Sequence, residues 1–185
     1  QRLVYPGVIV EYKDRVTAVD LLQGQSSVDG INSLNNAEAL LEYKLAGAID
    51  KIKRDKVPVV AYLTGNGQPQ SYEVYSLIEK TIKPNYGFSI LPIDSVPVIP
   101  DVFDALLIVK PLTGFSEAQK LKIDQYIMRG GKVVWMIDKL YASLDSLQRS
   151  QGSFIAFEMG LNLDDLLFKY GVRINSDLVQ DLNCT

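Results

Sequence analysis

The run Val57-Pro58-Val59-Val60-Ala61-Tyr62-Leu63-Thr64-Gly65-Asn66-Gly67-Gln68 constrains the fold more than any other stretch of the chain. Val59 to Leu63 leave no polar face, and a strand without one is covered on both sides, as in a parallel sheet. Gly65 and Gly67 tolerate backbone angles that other residues resist, so the strand is expected to end in a sharp turn. Ser71 is placed to accept from the free N–H groups of a following helix. Ligand crevices of open α/β sheets lie at the carboxyl ends of strands. Thr64, Gly65, Asn66, Gly67 and Gln68 are therefore the first residues expected to border a binding site.

Two β-prone runs, residues 8–12 and 16–22, surround Lys13-Asp14 and predict a hairpin. The polar residues 23–27 read as a linker. Residues 1–28 are thus expected to form an amino-terminal β-hairpin and linker, at the edge of the sheet or left from a preceding domain. Residues 29–185 are expected to form the α/β domain. Asn35 with Glu38 has the spacing of a capping box. It would open a helix whose apolar face is Leu41, Leu45, Ala48 and Ile52. A second helix is expected over 71–83, with Val74, Leu77, Ile78 and Ile82 inward and Pro84 as its stop.

Residues 88–93, 104–109 and 132–138 read as further strands, with a single helical turn at most between 95 and 103. Ser116 with Gln119 is another capping-box pattern, and Glu117, Lys120 and Asp124 make the wet stripe of the helix it opens. Gly130-Gly131 ends that helix. Residues 139–160 are expected as a long loop with a short helix. Asn162 is placed to cap a last helix with Asp164 and Asp165 in its first turn. Residues 172–174 and 178–179 read as the final strand pieces. This order predicts an α/β fold, a doubly wound and mostly parallel sheet with right-handed crossovers.

A net charge of −3 gives no basic footprint for nucleic acid. No apolar run approaches the roughly 20 residues that span a bilayer. The chain starts and stops in mid-pattern, at Gln1-Arg2-Leu3 and Asn183-Cys184-Thr185, and reads as a piece of a longer protein. One cysteine makes no internal disulfide. The complete lack of histidine removes the usual general base near neutral pH, the Ser-His and Cys-His pairs and the commonest zinc ligand. No cofactor or metal is called for, and catalysis would have to rest on carboxylates or lysine.

The segment Gly65-Asn66-Gly67-Gln68-Pro69-Gln70 follows a strand and precedes a helix, the context for phosphate binding. Gln70 stands where a dinucleotide fingerprint wants glycine, and no Gly-Lys-Ser/Thr is present, so a plain tight turn is the better reading. Asp94 and Asp138 each follow an apolar strand. As a pair they could hold a metal or do acid–base work; as single residues they cap strands at a solvated rim. Lys110 and Lys139 sit at comparable strand ends, placed to bind an anion or to pair with those aspartates. Tyr62, Tyr72, Tyr75 and Tyr141 could line a sugar-binding surface, although Tyr62 and Trp135 fit better in the core. Cys184 has no histidine to activate it.

The order of several segments is similar to a known family. They are Tyr5-Pro6-Gly7-Val8, Leu40-Leu41-Glu42-Tyr43, Val59 to Gln68, Phe103 to Pro111, Ile123 to Lys132 and Leu166 to Val172. The chain resembles the extracytoplasmic domain of the GldG-type auxiliary component of gliding-motility ABC transporters in Bacteroidetes. That resemblance implies a flavodoxin-like or glutamine-amidotransferase-like fold. It implies an inner-membrane protein with this domain in the periplasm and anchoring helices on its flanks. It also implies partnership with permease and ATPase subunits, and a non-enzymatic role in binding a partner protein, a glycan or a peptide. A homodimer through the hairpin is a further expectation. The family often shows Gly-His-Gly-Glu where this chain has Gly65, Asn66, Gly67 and Gln68. The alternative function is a carbohydrate-active or amidotransferase-like enzyme using the carboxylates at the strand ends.

Overall fold

In the computed structural model, residues 6–22, 30–142 and 155–178 are described, and the chain divides into two compact units, Gln1–Val57 and Pro58–Thr185. In the first unit, β1 (Gly7–Tyr12) and β2 (Arg15–Asp20) pair as the predicted antiparallel hairpin, Val10 opposite Thr17. Lys13 turns the chain at φ +55°. A lone hairpin is marginal in water, and this one is held by side chains that reach to backbone in both directions between it and the helix at 41–53. Arg15 donates to the carbonyl oxygens of Ile52 and Arg54, and Lys44 Nζ donates to that of Leu21 at 2.8 Å.

The helical part differs from expectation at its start. Helix α1 (Gly30–Ala39) already contains Asn35 and Glu38, so these residues do not open it. The chain breaks at Leu40 and continues as α2 (Leu41–Lys53), which buries Ala48 and Ile52 but leaves Leu41 and Ile49 exposed. The expected linker at 23–27 lies outside the described residues.

The second unit is built on β3 (Val59–Thr64), β4 (Gly87–Pro92), β5 (Ala105–Val109) and β6 (Lys132–Met136), all parallel, in the order β4-β3-β5-β6. Tyr62 lies opposite Ile90 on one side and Leu107 on the other. From β3 the chain moves first to β4 and then, past β3, to β5 and β6. The strand order therefore reverses between β3 and β5, where open α/β sheets place ligands. Side chains alternate between two cores. Ala61, Leu63, Leu106 and Ile108 pack with Phe115, Ile123, Tyr126 and Leu166. Tyr62, Leu107 and Val109 pack with Val74, Leu77 and Ile78 on the other face. An apolar strand with both faces covered is what the unbroken run at 59–63 demanded.

The expected helix over 71–83 is irregular. One α-helical turn, α3 (Tyr72–Tyr75), widens into a π-helical segment, Ser76–Ile82. The Ser71 side chain does not cap it; the Ser71 carbonyl accepts from Val74 N at 3.2 Å. A single 3-10 turn (Ile93–Ser95) follows β4. Helix α4 (Glu117–Met128) opens with the predicted Ser116–Gln119 capping box. Its exit is fixed by Gly131, where a Cβ would lie 2.3 Å from the Tyr126 ring.

Within the expected loop 139–160, β7 (Leu140–Tyr141) pairs with β8 (Phe157–Glu158), while residues 143–154 lie outside the described residues. Helix α5 (Asp164–Lys169) carries both aspartates in its first turn, but Asn162 does not cap it. Asn162 takes φ +55° and turns its amide to the Phe115 carbonyl, at 2.9 Å, and to Glu117. Residues 172–174 and Leu178 form no strand, and Val179 lies outside the described residues. Isolated β-branched residues after Gly171 carry too little apolar surface to add an edge strand by themselves.

Candidate functional site

The carboxyl end of β3 is where the predicted residues gather. Thr64 is buried there, and Gly65 turns the chain at φ +128°. A Cβ on Gly65 would approach Ile93 Cγ2 to 2.9 Å and Asp94 Oδ2 to 3.4 Å, so glycine is what lets the turn following β4 come close. Gly67 takes φ +74°, and a Cβ there would lie 3.0 Å from Leu112 Cβ. Between and after these glycines stand two buried amides, Asn66 at 2% and Gln68 at 4% exposure.

Each amide is held by a defined partner. Gln68 Oε1 accepts from Asn66 N at 2.8 Å. The Asn66 carbonyl accepts from Leu112 N (2.8 Å) and Thr113 N (3.1 Å). Asn66 Nδ2 donates to the Gly114 carbonyl (3.1 Å) and to Gln119 Oε1 (3.0 Å). Gln119 Oε1 also accepts from Ser116 N at 3.0 Å. With that oxygen fixed by two donors, Gln119 must present its Nε2 outward, and it donates to both Asp94 oxygens at 2.9 and 3.1 Å. A line of carboxamides thus runs from Gln68 through Asn66 and Gln119 to an exposed carboxylate. Asn66 Oδ1 and Gln68 Nε2 are buried without a hydrogen-bond partner.

The other predicted residues are spread along the same edge. Lys110, at the end of β5, is exposed and takes φ +43°. Its N–H donates to the Met136 carbonyl at 2.7 Å, and its side chain forms no ion pair among the described residues. Asp138 is exposed beyond β6. Asp94 and Asp138 follow β4 and β6, the opposite edges of the sheet, and those strands lie about three strand spacings, roughly 14 Å, apart. Lys139 pairs with Asp164 (2.9 Å) and Glu158 (3.9 Å), not with Asp94 or Asp138. It borders a cavity of about 60 Å³ together with Ile137, Leu167 and Ile174.

Of the four candidate tyrosines, Tyr62 lies in the core and not at the surface. Tyr62 is 1% exposed, and its hydroxyl donates to the Pro69 carbonyl at 2.5 Å. Burial first, and the nearby Glu73 charge second, push its pKa up to about 12. Tyr72 and Tyr75 are exposed on α3, and Tyr141 stacks on Phe157 at 5.1 Å between ring centroids. Trp135 lies edge-on to Phe115, at 6.3 Å and 71°, against the core.

Lys120 departs from its expected place on the wet stripe of α4. It is 5% exposed because α5 covers it, and its ammonium pairs with Glu117 (2.7 Å) and Asp165 (2.8 Å). Burial works against the charge, but the hydrogen bonds to Asp165 and Glu117 outweigh it and raise the lysine pKa. The hydrogen bond from Lys120 is the main cause that lowers the pKa of each carboxylate. This cluster joins two helices and stands apart from the loop at 65–68.

Sequence reasoning missed Gln119 as a member of the site, reading it as a cap alone. A signal was present: Gln119, Ile123 and Tyr126 share one helical stripe at i, i+4 and i+7, and an amide on a buried stripe needs partners. Among the described residues, no three His, Cys, Asp or Glu side chains converge as metal ligands.

The family described as an ABC-type uncharacterized transport system matches residues 57–185. These bounds coincide to within one residue with the second compact unit. No curated protein and no solved structure matches the chain. Among the described residues, no helix is long and apolar enough to cross a membrane. The match covers the whole sheet and the loop at 65–68, and on that ground the chain belongs to this family of ABC transporter auxiliary components.

Proposed function

We propose that this chain is the periplasmic domain of a membrane-anchored accessory subunit of a gliding-motility ABC transporter, and that it binds a partner without catalysing a reaction. The carboxyl edge of the sheet, around Thr64–Gln68, Lys110 and Asp138–Tyr141, is its binding edge. One observation carries the reading. Where the family that the chain resembles often has histidine and glutamate, Asn66 and Gln68 are neutral amides, and Asn66 is bonded through its main chain and its side chain to the neighbouring loop. Groups so engaged shape a surface and offer no general base. The partners are the permease and ATPase subunits, with anchorage through helices on the flanks of this domain.

The test is an affinity pull-down of the tagged protein from detergent-solubilised native membranes. The permease and ATPase subunits should co-purify. Recovery of the protein with neither subunit overturns the proposal.

A further inference from the structure

Residues 112–114 grip Asn66 by main chain alone, beside the side-chain contacts it makes with Gln68 and Gln119. Its carbonyl accepts from Leu112 N and Thr113 N, and its Nδ2 donates to the Gly114 carbonyl. These are main-chain groups that a bent peptide segment offers, since two successive N–H groups reach one carbonyl only where the chain bends. The loop lies at the sheet's point of reversal, between the ends of β3 and β5, where α/β folds of this order seat their ligands.

We propose that residues 112–114 are an internal stand-in for a peptide ligand, and that a peptide segment of the partner, bent as they are, displaces them and binds to Asn66 and Gln68. This rests on the reading that the carboxyl edge is the binding edge. Three features support the exchange.

The stand-in fits incompletely. It leaves an acceptor, Asn66 Oδ1, and a donor, Gln68 Nε2, buried and unpaired. A buried polar group without a partner is costly, and the N–H and C=O of a peptide are the two groups that would satisfy this pair.

The loop is also strained at its root. Lys110 holds φ +43°, a region that side-chain-bearing residues resist, and it precedes Pro111, which restricts it further. Pro111 and Phe115 are buried anchors, whereas Leu112, Thr113 and Gly114 are exposed, so little apolar burial holds the segment between them.

The seat has a side-chain preference. Leu112 packs against Gly67, its Cβ 3.0 Å from where a Cβ on that glycine would lie. A displacing peptide would carry an apolar residue of leucine's size there.

The test uses the full 185-residue chain, isotopically labelled for NMR. Leu112 and Thr113 amides should exchange with solvent at least about 100-fold faster than those of Leu107 and Ile108, through a local opening. Lys110→Gly removes the strain and should slow that exchange about tenfold. The blocked hexapeptide Lys-Pro-Leu-Thr-Gly-Phe, added at millimolar concentration, should shift the side-chain NH2 signals of Asn66 and Gln68. The same peptide with serine in place of leucine should shift them less. Protection of Leu112 and Thr113 equal to that of β5 overturns the proposal, as do unmoved Asn66 and Gln68 signals, which would leave internal water to satisfy the pair. These readouts need no transporter, so a failed pull-down sinks the proposed function and leaves them standing, and the reverse also holds.

Discussion

Gln119 Nε2 donates to both carboxylate oxygens of Asp94, at 2.9 and 3.1 Å, and it does so because Asn66 and Ser116 hold its oxygen. The orientation of the amide is set by the loop, and the amide in turn ties the end of β4 to α4. Gln119→Glu keeps the two contacts to the oxygen but sets a carboxylate against Asp94. It should cost about 2 kcal/mol at pH 7, the penalty of a lost donor plus like charges. The loss should shrink in acid, where one of the two crowded carboxyls takes a proton and can donate to the other. Urea unfolding of both proteins at pH 7 and in acid measures this.

Gly65 and Gly67 combine a positive φ with a close neighbour. Gly65→Ala meets Ile93 at 2.9 Å in a positive-φ backbone, and it should cost about 2–3 kcal/mol. Gly47 lies inside α2 with nothing within 4 Å of an added Cβ. Gly47→Ala should instead stabilise by about 0.5–1 kcal/mol. Thermal melts of the pair would separate a backbone requirement from a general preference for glycine.

Tyr62 makes stability fall at alkaline pH. Its folded pKa of about 12 lies above the ordinary value of 10.0. A group whose pKa is raised by folding lends stability that is complete below its unfolded pKa and lost as the pH rises through the folded one. The window therefore runs from about pH 10 to 12. Tyr62→Phe should cost about 1 kcal/mol at pH 7, from the lost hydrogen bond to Pro69, and should flatten that alkaline slope in urea unfolding.

The Lys120 cluster acts at the acid end. Glu117 and Asp165 have lowered pKa values, chiefly through hydrogen bonds from Lys120. Their stabilising effect is complete above the unfolded carboxylate pKa and is lost as the pH drops through the folded one. Lys120 has a raised pKa, so its own share is complete below about pH 10.4 and fades above it. Lys120→Met keeps most of the stem and should cost about 1 kcal/mol at pH 7, since both partners are open to solvent. The difference from the parent should shrink as the pH falls below the ordinary carboxylate range and through the lowered pKa values of Glu117 and Asp165. Guanidinium melts across pH 3–7 test this.

The centre of the sheet was legible because β3 and β5 are buried on both faces. Val59 to Leu63 and Leu106 to Val109 have no polar residue to place at a surface, so a parallel interior position was the only comfortable one. Gly65 and Gly67 were legible because a turn after a buried strand needs positive φ. Capping patterns were less reliable. Ser116–Gln119 closed as a box, whereas Asn35–Glu38 lay inside a helix and Ser71 and Asn162 spent their side chains differently. A local pattern states what a side chain is able to bond, and tertiary partners decide what it does bond. Phe115 and Glu117 took the amide of Asn162. Lys120 and Lys139 were hidden for a related reason: the helix α5 that engages both lies some 40 and 25 residues downstream, where local spacing says nothing.

Site-specific photo-cross-linking in native membranes tests the central claim most directly. A benzophenone side chain placed at Lys110 or Asp138, on the carboxyl edge, should form an adduct with the permease or ATPase subunit of the transporter. The same probe at Lys132, at the opposite end of β6, should form none. Adducts from Lys132 alone, or none with either subunit from Lys110 and Asp138, would contradict the account.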